Sequence, residues 1–300
     1  SPLYGTIGQA WRDQMTFLMN FNVKLAWRSQ YCGVFLLQKD GVDYYFIDNE
    51  YYFKRDRHYG YDDDGERFAY FSKAVISMLL NLELRVQVIH VNDWHTALIP
   101  VYINAMYRDT PLFDRVRIVF TIHNINYQGL CNPYNLGDLL GMDERMLPIL
   151  EFDGQLNFMK GGIVCCNALT TVSPTYAGEI QTPQFAYGLD GIIRSNSRKL
   201  FGVLNGIDTE FYNPETDTEI KSNFTASNMR GKTYDKAALE IEFGLDPKPE
   251  TPIIAMVTRL VGLKGVDLVC EVFERMMERD IRFVLLGSGE QNYIDFFERM

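Results

Sequence analysis

Val86-Gln87-Val88-Ile89-His90-Val91 is a short, β-prone apolar run, and it ends abruptly in Asn92-Asp93-Trp94-His95. Helical spacing follows from about Thr96 to Arg108. A second apolar run, Val116 to Ile122, ends in His123-Asn124. Strand, helix, strand within about forty residues is the pattern of a parallel βαβ unit with a right-handed crossover. The fold class is therefore α/β. Ligands of open α/β sheets lie beyond the carboxyl ends of the strands, where these polar residues stand.

Working outward, the first sixty residues hold β-prone runs such as Gly33 to Leu37 and Tyr44 to Asp48, separated by Gly and Asp turn signals, and predict a meander. Arg67 to Leu82 carries Phe68, Phe71, Val75, Met78 and Leu79 on one side of a helix. A further strand, Ala168 to Val172, runs into Ser173-Pro174 and a short helix. Beyond Asn205 a polar, Pro-containing connector, Asp208 to Asn228, marks a change of domain, so the boundary is set at 1–204 and 205–300. The second segment predicts a helix around Lys232 to Phe243. It then repeats the βαβ pattern with strand Ile253 to Thr258, loop Arg259 to Gly265, helix Val266 to Arg279 and strand Arg282 to Leu286.

Composition narrows the function. The formal charge of −10 over 300 residues, with Lys and Arg scattered, leaves no basic stripe for a nucleic-acid backbone, so no nucleic-acid partner is expected. A neutral polysaccharide is not repelled by such a surface, whereas an anionic sugar nucleotide needs a locally positive pocket. No apolar run is long enough for a membrane helix, and the start shows no signal peptide, so no membrane partner is expected either. Five cysteines without C-x-x-C spacing, two of them the adjacent Cys165 and Cys166, read as reduced, buried thiols in a cytoplasmic protein. The sequon at Asn223 is then a chance match. The opening Ser1-Pro2-Leu3 and the helix-like closing run to Met300 both read as truncations.

Three constellations carry polar chemistry. His90 to His95 admits a metal-site reading, since His and Asp are ordinary ligands, but it lacks an H-x-x-x-H helix face; packed imidazoles and a capping Asp are the plainer alternative. Thr121-Ile122-His123-Asn124-Ile125-Asn126-Tyr127-Gln128-Gly129 offers the amides, imidazole and hydroxyls that a sugar ring requires, or simply a hydrogen-bonded turn. Thr258-Arg259-Leu260-Val261-Gly262-Leu263-Lys264-Gly265 places two cations at a strand exit and helix entry, where a diphosphate feels the helix dipole, unless they are ordinary solvated charges. Gly287-Ser288-Gly289 is a second tight turn. No P-loop and no G-x-S-x-G elbow occurs.

Taken together, Asn92-Asp93-Trp94-His95-Thr96-Ala97, Thr121 to Asn124 with Tyr127-Gln128-Gly129, and Val172 to Ala177 resemble the ADP-glucose-dependent glycogen and starch synthases. So do Pro183 to Gly191, Val203 to Asp208, and Thr258-Arg259-Leu260 with Lys264-Gly265. The resemblance runs through essentially the whole chain. It implies the GT-B fold, two Rossmann-like domains with parallel sheets facing a cleft, incomplete at the N-terminus and in the second domain. It also implies a retaining glycosyltransferase that moves glucose from ADP-glucose onto an α-1,4-glucan such as glycogen, with no metal and no cofactor.

The resemblance assigns roles by position. His123 would stand beside the donor glucose, with Asn124 on a sugar hydroxyl, Asp93 and His95 lining the same pocket, and Gln128 adding a substrate contact. Tyr61 would touch the acceptor or sugar, Asn205 with Gly206 would bind the donor at the hinge, and Arg259 with Lys264 would hold the diphosphate. The family's Lys-x-Gly-Gly-Leu loop falls upstream of Ser1, and its Glu-Pro-x-Gly-Leu and Thr-Gly-Gly segments fall downstream of Met300. The chain alone is therefore expected to bind donor poorly and turn over little.

Overall fold

Thr16–Leu25 (β1), Arg28–Lys39 (β2) and Val42–Asp48 (β3) pair antiparallel in sequence order and make the expected meander. Asp40 and Gly41 both take positive φ, 52° and 76°, as a tight two-residue hairpin turn requires. This computed structural model describes residues 1–300 and divides into two compact units, Ser1–Asn205 and Gly206–Met300.

In the first unit, Val88–Asn92 (β4) and Arg117–Ile122 (β5) pair in parallel. Three short strands, Leu130–Cys131 (β6), Glu151–Phe152 (β7) and Gln155–Asn157 (β8), form a small separate antiparallel sheet. Ala168–Thr171 (β9) then joins β5 on its other side, and Leu200–Gly202 (β10) completes a four-stranded parallel sheet in the order β4-β5-β9-β10. Gly202 is required there, because a Cβ would lie 2.3 Å from the nitrogen of Pro174.

Helices cover the sheet. Asp64–Asn81 buries Phe68, Phe71, Met78 and Leu79 as its spacing predicts, and adds Tyr70 and Ile76, which are fully buried. Each such large side chain withdrawn from water contributes about 1.5–3 kcal/mol. Phe158–Cys165 packs against Leu98–Tyr102 through Gly161 and Gly162, whose Cβ positions are already occupied by Val101, Leu150, Ala97 and Phe120. Asn157 caps that helix by accepting from the N–H of Lys160 at 2.9 Å.

The single helix expected from Thr96 to Arg108 is instead three pieces: a turn at Asp93–Thr96, a helix at Leu98–Tyr102, and a wider π-type turn at Ile103–Tyr107. Pro100 has no N–H to continue the ladder from the first piece, and it is tolerated because it sits in the first turn of the second.

The second unit contains the helix Gly231–Glu242, strands Ile253–Val257 (β11) and Arg282–Leu286 (β12) paired in parallel, the crossover helix Val266–Met277, and the helix Gln291–Arg299. Phe273, Phe283, Phe296 and Phe297 pack ring against ring with centroids 5.1–6.0 Å apart. Glu240, 1% exposed, receives Arg282 at 2.5 Å. The five cysteines are free thiols; Cys32 and Cys166 are buried, while Cys131, Cys165 and Cys270 are only partly so.

Candidate functional site

The exits of β4 and β5 are stitched together by their own side chains. Asp93 begins its helical turn with φ at +54°, a conformation that L-residues avoid and Asp tolerates better than most. That twist turns the carboxylate across to β5, where Oδ1 accepts from the backbone N–H of His123 at 2.8 Å. Beside it, the imidazole Nε2 of His123 lies 2.9 Å from Oδ1 of Asn92. With an amide oxygen as partner, Nε2 is the donor of that bond, which leaves Nδ1 without a partner in the protein. The ring is exposed, so that second nitrogen is available to a ligand.

His95 lies one helical turn from the strand end, half-buried, with its ring stacked on Trp94 at 4.3 Å and edge-on to Phe68 at 4.6 Å. Burial pushes its pKa below the ordinary value, and its Nε2 is buried with no hydrogen-bond partner. Trp94 is itself held by Gly129, which takes φ +66° and whose Cβ position would lie 2.4 Å from the indole. Tyr59 approaches His95 with ring centroids 5.6 Å apart, which joins the loop before Asp64 to the same neighbourhood.

Tyr61 sits in that loop. Its hydroxyl accepts from the backbone N–H of Arg57 at 3.0 Å, and the guanidinium groups of Arg55, Arg57 and Arg67 lie 4.9–5.5 Å from its ring centre. Arg55 forks onto both oxygens of Asp63 at 2.6 Å, which holds that carboxylate's pKa below the usual range. Arg67, fully buried, pairs with Asp64, whose other oxygen receives the N–H groups of Gly60 and Tyr61. The loop is thus tied at every turn by charge-assisted bonds.

Asn124 closes an Asx turn by accepting from Asn126 N–H at 3.0 Å. Gln128, expected to contact substrate, is buried instead. Its Nε2 donates to the carbonyl of Tyr187 at 3.0 Å and its Oε1 accepts from Asn157 at 2.6 Å. That amide ties the loop to the capped helix. The cost of leaving it unpaired explains its placement better than a ligand does. Asn205 and Gly206 are exposed, and nothing lies within 4 Å of a Cβ added at Gly206.

In the second unit, Arg259 and Lys264 flank the loop between β11 and the helix Val266–Met277. Both are exposed, and neither joins the ion pairs that Lys236 and Arg282 make with Glu240. Gly265 enters the helix with φ +69°. The loop is anchored to Gly287-Ser288-Gly289: Leu260 N–H donates to Ser288 at 2.9 Å, and Glu290 N–H donates to Leu260 at 2.8 Å. Gly287 and Gly289 permit this, because a Cβ at either would lie 2.0 or 2.2 Å from a carbonyl oxygen of the neighbouring loop. The tight turn is therefore a support for the Arg259 loop.

His90 is taken up by Thr121 at 2.6 Å, which in turn meets Thr170 at 2.6 Å, and no three metal-ligating side chains gather anywhere in the chain. Asn92 stood among the polar residues of the strand end with no role of its own, and Tyr59 carried no functional expectation. For Asn92 the one signal was its position immediately before Asp93 at a strand end.

Residues 1–195 match the family described as the starch synthase catalytic domain. This chain belongs to that family. The starch synthase-type chain is 49% identical to the glycogen synthase of Bacillus cereus strain B4264 over its whole length and covers 63% of that protein. It is 48% identical to that of Bacillus anthracis, again with 63% covered, and 46% identical to that of Geobacillus thermodenitrificans, with 62% covered. Among solved structures it matches the catalytic domain of starch synthase IV from Arabidopsis thaliana bound to ADP and acarbose. That match has a TM-score of 0.89 and 33% identity over 99% of this chain and 62% of the other. The GT-B fold follows from that likeness. The chain thus spans a little under two thirds of the relatives it matches, and no helix in it is long and apolar enough to cross a membrane.

Proposed function

We propose that this chain is the part of a glycogen synthase that carries most of its sugar-side chemistry and the start of its nucleotide-side domain. The reaction is transfer of glucose from ADP-glucose to the non-reducing end of an α-1,4-glucan with retention of configuration, in the cytoplasm and without metal or cofactor. The observation that carries this reading is the pair of exposed, unpaired cations, Arg259 and Lys264, on one strand-exit loop, in a chain about half identical to proteins named glycogen synthase.

Breaking the bond between glucose C1 and phosphate builds oxocarbenium character on the sugar and negative charge on the departing ADP. Arg259 and Lys264 meet that negative charge with no carboxylate competing for them, which favours the transition state over the ground state. His123, oriented through Asn92 and Asp93, offers its second ring nitrogen to the sugar. Asn124 and the Tyr61 loop add hydroxyl and amide contacts. A pure binder of neutral glucan would have no use for the two free cations.

The test is glucose transfer to glycogen from ADP-glucose and, separately, UDP-glucose, by this chain and by a form extended to the full length of its relatives. Strong transfer from ADP-glucose by the extended form is the expected result. Preference for UDP-glucose would move the protein to another GT-B activity, and glucan binding without transfer from either donor would leave a scaffold.

A further inference from the structure

Two aromatic rings on the first unit stand almost entirely in solvent. Trp27, in the turn between β1 and β2, is 74% exposed, and Tyr134 is 88% exposed. Trp27 is not free to move. Its indole N–H donates to Oδ1 of Asp138 at 2.9 Å, and the Arg28 guanidinium lies 4.4 Å from its ring centre. Arg28 is held in turn by the carbonyl of Asp138 at 2.7 Å and by Glu66 at 3.4 Å. The turn is braced from behind as well, since Gly141, at φ +66°, brings its backbone against Ala26.

Tyr134 precedes the short helix Asn135–Asp138 in helical conformation, one turn before Asp138. It therefore lies on the same side as the carboxylate that grips Trp27. The result is two exposed rings on the Asp138 side, one of them clamped with Arg28 over one face and the other face left open. An indole this exposed adds little apolar burial, and fixing it costs rotamer entropy. Such a ring is preorganised for a ligand with a flat apolar face.

We infer that Trp27 and Tyr134 form a glucan platform, an outer binding surface for an α-1,4-linked glucose chain. The inference rests on the glycogen synthase reading above. The C–H faces of a glucopyranose are apolar and flat enough to lie on an aromatic ring, while its hydroxyls seek both donors and acceptors. Asp138 accepts, Arg28 donates and the Tyr134 hydroxyl does either. A neutral chain is also the partner that a protein of net charge −10 does not repel. The platform adjoins the loop of Tyr61. Glu66, which holds Arg28, lies in the first turn of the helix that this loop enters, and Cys131, three residues before Tyr134, lies 3.9 Å from the Cβ position of Gly65 in the same turn.

The test uses the full-length protein in native gels cast with glycogen, and measures maltoheptaose binding in solution without donor. Trp27→Ala and Tyr134→Ala should each weaken binding about 2- to 10-fold, and more together. KM for glycogen should rise while kcat with a short acceptor such as maltose stays unchanged. Tyr134→Ala guards against misfolding, since so exposed a side chain supports no core. If the double variant is retarded by glycogen like the wild type, or if the wild type is not retarded, the platform is wrong. It also falls if sedimentation shows a dimer that both substitutions dissolve, because the rings then serve a second copy. A protein that transfers no glucose yet binds glucan through these rings keeps the platform and loses the proposed reaction.

Discussion

The carboxylate of Asp93 accepts the backbone N–H of His123 at 2.8 Å, and to reach it Asp93 adopts φ +54°. Two residues thirty positions apart are thereby locked at neighbouring strand ends. Asp93→Asn should keep both the left-handed backbone and an acceptor oxygen, and so melt within a few degrees of the wild type. Asp93→Ala should cost about 2–3 kcal/mol, combining the left-handed penalty with the unpaired N–H. Equal melting temperatures for the two variants would show that the bond does not hold the turn.

Asn92 gives the His123 ring its orientation through a 2.9 Å bond. Asn92→Ala frees that ring, and in the full-length protein kcat should fall on the order of 10- to 100-fold with KM for ADP-glucose changed far less. Asn92→Asp restores an acceptor and should recover part of the loss. A KM effect alone would place Asn92 in binding rather than positioning.

Arg259→Ala and Lys264→Ala should each lower kcat/KM for ADP-glucose by on the order of 100-fold or more, with little change in thermal stability, because neither cation is paired in the protein. Turnover near wild type in either variant removes that residue from the diphosphate contact.

Glycines separate support from exposure. Gly287→Ala and Gly289→Ala drive a methyl against the carbonyl oxygens of Thr258 and Leu260, so each should destabilise the second unit by about 3 kcal/mol or more and displace the Arg259 loop. Gly206→Ala meets nothing within 4 Å and should stay within about 0.5 kcal/mol of the wild type. Urea unfolding of the three variants decides it.

His95 adds a pH dependence. Its folded-state pKa is lowered by burial below the ordinary 6.5, so the unfolded state binds more protons in the window beneath that value. Stability is therefore lost as pH falls below 6.5 and regained as it rises. His95→Asn should flatten this part of the curve, seen as a smaller drop in urea midpoint between about pH 7 and about pH 5. Parallel curves for the two proteins would show that the imidazole charges freely in place.

The order and kind of the main elements were legible because hydrophobic periodicity is a local property: strand Arg282–Leu286 and the buried stripe Phe68, Phe71, Met78 and Leu79 are read from neighbours in the chain. Local reading failed where a pairing partner decides. Pro100 and the π-type turn at Ile103–Tyr107 broke a helix whose spacing looked continuous. Gln128, polar and in a sugar-like run, went to the interior because Asn157 and Tyr187 were there to satisfy it.

By itself the sequence determined the α/β class, the two βαβ runs and the strand ends at which Asp93, His123, Arg259 and Lys264 stand, since periodicity and strand direction put polar residues there. Only the tertiary structure decided which of them are held and which are free. Asn92 was paired with His123, Glu240 was matched to Arg282 and Trp27 was clamped on Asp138, and Arg259 and Lys264 were left without a carboxylate. A hydrogen bond or ion pair acts over about 3 Å between atoms that the chain alone leaves tens of residues apart, and only the packed fold brings them within that range.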